Sequence, residues 1–158
     1  MKKQTLRISM IATPLMIVCG LLVSSTSARA ESEDGACSNR TLRGDYGSTV
    51  EGLALPAPGV ALPVRGVVMA HYDGDGNFTQ VDHIVINGIP PTLEWTPGTG
   101  TYHVNADCTG TAHIVMSTGG FVNVAFVVVR KGKEIHAVVT APFNGPARTV
   151  TALSIKVE

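Results

Sequence analysis

Residues 71–79 read HYDGDGNFT, and two readings compete for them: the opening of a calcium-binding loop, or a tight turn between two strands. A loop of the EF-hand kind needs oxygen ligands at alternate positions, glycine directly after the third of them, and a closing bidentate Glu, with a helix on each side. Counted from Asp73, Asp75 and Asn77 stand at ligand positions, but Phe78 takes the place of the glycine and Ile84 that of the Glu. A hairpin loop accounts for the same letters without a metal. Asp and Asn bond to nearby backbone amides, and the two glycines turn the chain. No metal and no cofactor follow from this stretch.

Read as a turn, the stretch sets a register. Tyr72 faces Phe78, and the alternate pairs run Ala70 to Gln80, Val68 to Asp82 and Gly66 to Ile84. The other face carries Arg65, Val67, Met69 and His71 against Thr79, Val81, His83 and Val85. Both faces are mixed, so one of them puts polar groups inside. A barrel that holds a ligand does this, whereas a packed one avoids it.

Outward from the hairpin, period-two alternation continues and no stretch holds a helical period. The expected strands are Leu42–Glu51, Val64–Tyr72, Phe78–Asn87, Thr99–Val104, Thr109–Ser117, Phe121–Arg130, Glu134–Ala141 and Arg148–Val157. Gly119-Gly120, Lys131-Gly132 and Asn144-Gly145-Pro146 supply the turns. An antiparallel meander of this kind hides its edges by closing on itself. The fold predicted is therefore all-β, a single antiparallel up-and-down β-barrel of about eight strands. Two Pro-rich segments, Leu53–Gly66 and Gly88–Gly100, read as extended connections, either binding loops or packed structural ones. Trp95 in the second either covers a barrel mouth or staples the loop down.

The chain opens with Lys2, Lys3 and Arg7, an apolar run from Ile8 to Val23, and Ser27-Ala28-Arg29-Ala30. That is the pattern of a secretory signal peptide cleaved after Ala30, leaving residues 31–158 as one barrel domain in the periplasm or outside the cell. The run is short for a membrane span and contains Pro14. Beyond Ala30 there are eight Lys plus Arg against twelve Asp plus Glu, a negative balance that argues against nucleic acid or an anionic membrane as partner. Cys37 and Cys108 are the two cysteines left in an oxidising compartment and are expected to form a disulfide. With aromatics at 5%, the girdles of an outer-membrane barrel are missing.

The histidines give no zinc spacing. His103, His113 and His136 fall on the polar sides of their strands, opposite Tyr102, Val104, Ala112, Ile114, Met116, Ile135, Ala137 and Val139. There is no G-x-S-x-G elbow and no glycine-rich phosphate loop before a helix.

The blocks CSNRTLRGDYGSTVEG (Cys37–Gly52), MAHYDGDGNFT (Met69–Thr79) and GTGTYHVNADCTGTAHI (Gly98–Ile114) resemble those of small exported bacterial proteins of no assigned function. Leu42 to Tyr46 is also similar to the Gly-x-aromatic start of lipocalin-like (calycin) barrels, with Tyr in place of Trp. Allene-oxide-cyclase-like and dirigent-like barrels suit the same strand lengths. The resemblance implies a barrel and assigns no catalytic residue. The leading expectation is a binding protein for a small, largely apolar molecule, with Tyr46, Tyr72 and Tyr102 facing inward, Asp82 beside them and Trp95 at the mouth. The alternatives are a cofactor-free cyclase or isomerase using Asp82 or Glu51, and a structural module whose rings fill the interior. Oligomeric state is not legible.

Overall fold

The hairpin forms as its turn chemistry requires. In the computed structural model, which describes residues 36–141 and 147–158, Asp73 Oδ1 accepts the backbone N–H groups of Asp75 at 2.7 Å and of Gly76 and Asn77 at 3.0 Å. Asn77 Nδ2 donates to the other oxygen at 2.8 Å. Both carboxylate oxygens are thus spent on the turn. These bonds, led by those from Asn77, hold the Asp73 carboxyl down at about 2. Strands β2 (Val60–Tyr72) and β3 (Asn77–Ile86) flank the turn. Their register is Tyr72 to Phe78, Ala70 to Gln80, Val68 to Asp82 and Gly66 to Ile84, as the turn predicts.

The other strands are β1 (Gly44–Ala57), β4 (Thr96–Val104), β5 (Thr109–Met116), β6 (Phe121–Val129), β7 (Glu134–Ala141) and β8 (Ala147–Lys156). Each pairs antiparallel with the next, and β1 pairs with β8 from Tyr46 opposite Lys156 to Leu55 opposite Ala147. The protein is a closed, eight-stranded antiparallel barrel. The signal segment expected at residues 1–30 and the turn expected at Asn144-Gly145-Pro146 lie outside the described residues.

Two expectations need correction. The Pro-rich stretch Leu53–Gly66 is a long hairpin rather than a loop, with β1 running on to Ala57 and β2 starting at Val60. Pro56 fits because it lies in the register shift between Ala54 and Ala57, past the last β1–β8 pair. Pro63 fits for a different reason. A residue in an antiparallel strand points its N–H and C=O to the same neighbour, and the Pro63 carbonyl accepts Asn87 N–H on the β3 side, where the ladder has ended at Val64 and Ile86. Its missing N–H therefore leaves no gap. Pro97 repeats the arrangement inside β4, its carbonyl accepting Ser117 N–H beyond the last β4–β5 pair. The second correction is that two short 3-10 segments exist, Asn39–Leu42 and Arg130–Gly132, too short to leave a helical period in the sequence.

The Asn39–Leu42 segment plugs one end of the barrel. Leu42 and Tyr46 are fully buried there, with Ala70, Phe78, Tyr102, Val104, Phe126, Val128 and Ile135 around them. The disulfide between Cys37 and Cys108, Cα atoms 4.9 Å apart, ties the chain before the plug to the turn between β4 and β5. Tyr46 Oη donates to the buried Gly132 carbonyl, and Gly132 itself has no room for a side chain, because a Cβ would meet the Thr41 carbonyl of the plug at 2.2 Å. Its φ of +83° is also one that glycine adopts freely. A smaller apolar cluster, Ala54, Val64 and Val150, stands toward the opposite end.

Candidate functional site

The side chains that face inward between these two clusters leave a cavity of about 310 Å3. Its position follows from strand parity. Val68, Ala70 and Tyr72 on β2, Phe78, Gln80, Asp82, Ile84 and Ile86 on β3, and Ala112, Ile114 and Met116 on β5 all point into it. The plug end is filled by rings. Tyr72 stacks on Phe78 with centroids 5.1 Å apart and meets Tyr46 and Tyr102 edge-on at 5.3 and 5.1 Å. This cluster is the floor of the cavity.

Its lining is mainly aliphatic with a polar lane. Gln80 Nε2 donates to Asp82 Oδ2 at 3.2 Å and lies 4.0 Å from Met116 Sδ. Ser48 Oγ donates to Ser154 Oγ at 2.7 Å, and Thr96, the pairing partner of Asp82 on β4, is buried. Asp82 is only 5% exposed. Burial raises its pKa, against the lowering pull of the Gln80 hydrogen bond and of nearby His83. Among the described residues, the only other charged one in the lining is Arg148, at the start of β8 and remote from the plug.

Of the residues singled out from the sequence, Tyr72 and Asp82 line the cavity. Tyr46 and Tyr102 face inward as expected but sit beneath it, in the core around the plug. There the Tyr102 hydroxyl donates to the Asn39 carbonyl at 3.0 Å and accepts Gly74 N–H at 3.1 Å. Burial, and secondarily Tyr102, pushes the Tyr46 phenol up to about 12; burial raises Tyr72 further, with Tyr46 and then Tyr102 adding to it. These are packed phenols. Trp95 stands apart from the cavity, 48% exposed. His83, on the outward face of β3, donates from Nδ1 to the Glu94 carbonyl at 2.6 Å and meets the Trp95 ring edge-on at 6.0 Å. That contact fastens the end of the Gly88–Trp95 connection to the outer wall, while Pro91 from the same connection reaches the cavity. Glu51 is exposed on the outer face of β1.

His103, His113 and His136 are exposed on the faces expected of them. His136 Nε2 meets Glu134 Oε1 at 2.6 Å, and His71 Nδ1 meets Asp45 Oδ1 at 2.6 Å across the β1–β2 pair. The second pairing required the β1 register, which the turn at 73–77 does not supply. Sequence reasoning missed Ser48, Ser154 and Arg148 as lining residues. Arg148 shares parity with Val150, Ala152 and Ser154, which was the available signal.

No protein-family model matches the chain, and no curated protein sequence matches it. Among solved structures, a de novo designed fluorescence-activating β-barrel is similar with a TM-score of 0.48 and 11% identity, covering 75% of this chain and 96% of that one.

Proposed function

We propose that this protein is an exported, lipocalin-like binding protein whose barrel takes up one small, largely apolar molecule. The observation that carries the reading is the cavity of about 310 Å3 where a packed barrel would have its middle layer. It falls at the small end of ligand pockets, about 300–1,000 Å3. An aliphatic lining with a few converging polar groups is the usual make-up of such a pocket. The disulfide and the signal-like opening support export. The negative balance beyond Ala30 supports a small molecule rather than nucleic acid as partner.

The test is native mass spectrometry of the oxidised protein purified under mild conditions, repeated after denaturation. A retained organic molecule lost on denaturation supports the reading and supplies the ligand. A bare polypeptide that also takes up no apolar fluorophore in solution sinks it.

A second reading, a cofactor-free cyclase or isomerase, draws support from Asp82 alone, a buried carboxyl of raised pKa facing an apolar space. It expects Asp82→Asn to retain the bound molecule while losing its conversion. Recovery of the same unconverted molecule from wild type and variant would remove it. The cavity weighs against the third reading, a structural module with a filled interior.

A further inference from the structure

We infer that the molecule held in the cavity is amphipathic and carries a carboxylate-type anionic head that pairs with Arg148 at the rim, an inference that rests on the binding reading above. Arg148 is on the inward face of β8, opposite Ala54 of β1, at the end of the barrel away from the plug. Its Nε is buried without a hydrogen-bond partner and is the sole such side-chain atom among the described residues. None of the ion pairs among those residues involves it.

A guanidinium keeps its charge at any physiological pH, and its N–H groups are donors only. Buried donors of native proteins are almost always paired, and a buried donor of a charged group is costly to leave unmet. The planar fork of Arg fits a carboxylate through two parallel hydrogen bonds. The two charged residues of the described lining also fix an orientation. Asp82, midway along β3, repels a second anion from the middle of the cavity, while Arg148 attracts one to the rim. An acid therefore lies head outward at Arg148, with its apolar part among Ile84, Ile114 and Val124 and directed toward the Tyr72–Phe78 floor.

The experiment compares two fluorophores of equal ring system, anthracenecarboxylate and anthracenemethanol, titrated against the oxidised wild type and against Arg148→Met, which keeps an apolar stem and removes the charge. Circular dichroism and the urea midpoint confirm that the variant is folded. The expected result is that the wild type prefers the carboxylate by about tenfold or more, that Arg148→Met abolishes the preference, and that the alcohol changes by less than about threefold. Arg148→Lys restores part of it. Equal affinities in the wild type, or a preference that survives in Arg148→Met, overturn the head-group inference while leaving the binding reading standing. If neither compound binds the wild type, both fall together.

Discussion

Tyr102 and Asn39 bind the barrel wall to the plug, with Asn39 accepting from β4 through both its backbone and its side-chain oxygen. Tyr102 Oη donates to the Asn39 carbonyl at 3.0 Å, and Asn39 Oδ1 accepts Val104 N–H at 2.8 Å. Because the same hydroxyl also accepts Gly74 N–H, one ring joins the plug, β4 and the 73–77 turn. Removing the oxygen leaves a carbonyl and an amide unmet. Tyr102→Phe is expected to lower stability by about 1–3 kcal/mol, read from urea unfolding, while leaving fluorophore uptake by the cavity intact.

Two glycines serve as seats for aromatic rings. Phe78 lies across Gly100 and Phe126 across Gly110, each its cross-strand partner, and a Cβ at either glycine would meet ring carbon at 2.4 or 2.3 Å. A methyl there must push a packed ring off its rotamer. Gly110→Ala is expected to destabilise by about 1–3 kcal/mol, whereas the same change at Gly119, in an open turn, acts only through its backbone conformation. Thermal melts of the two variants separate the causes: Gly110→Ala also disturbs the near-ultraviolet signal of the floor, and Gly119→Ala does not.

The Cys37–Cys108 bridge spans 71 residues. A closure of that length stabilises by at most about 4 kcal/mol, through the unfolded chain. Reduction, or the paired change of both cysteines to Ser, is expected to lower the urea midpoint. Fluorophore uptake under native conditions persists, since neither sulfur lines the cavity.

Asp73 and Asp82 belong to one hairpin yet titrate in opposite senses. An unfolded Asp ionises near about pH 4. Burial raises Asp82 above that value, so the folded protein keeps a proton that the unfolded chain releases, and stability falls as pH rises through the folded carboxyl's titration. Asp82→Asn should therefore match the wild type at about pH 4 and below and exceed it at neutral pH. Asp73, held at about 2 by its turn hydrogen bonds, contributes stability that is complete above about pH 4 and lost as pH falls toward about 2. Asp73→Ala should flatten that acid limb. Urea midpoints for the three proteins across both windows check the signs.

The parts of the fold legible in the sequence are those fixed by local chemistry. DGDGN permits one tight turn, that turn imposes the Tyr72–Phe78 register, and register then places Asp82 and Gln80 inside. Strict alternation did the same for Tyr102 and Ala112 on neighbouring strands. What escaped depends on partners distant in sequence. Pro63 and Pro97 read as strand breakers because nothing local reveals that the ladder beside them has already ended. Trp95 read either as a mouth residue or as a staple, and the choice turned on its clasp by outward His83, a tertiary contact. Arg148 shares parity with Val150, Ala152 and Ser154, but that the shared side is the inner one is set by the β1–β8 closure.

That closure has a consequence for how the molecule comes to be folded. The seam is made by segments about as far apart as the chain allows: Ser48 and Ser154, bonded across it, are 106 positions apart. Such a contact is slow to find, because loop closure must precede any reward. Until β8 docks, β1 and β7 each present a bare edge able to recruit another chain. Assembly is therefore a race between the final strand and intermolecular pairing, and a chain stopped before Ala147 loses that race by default, whatever the quality of its plug and floor.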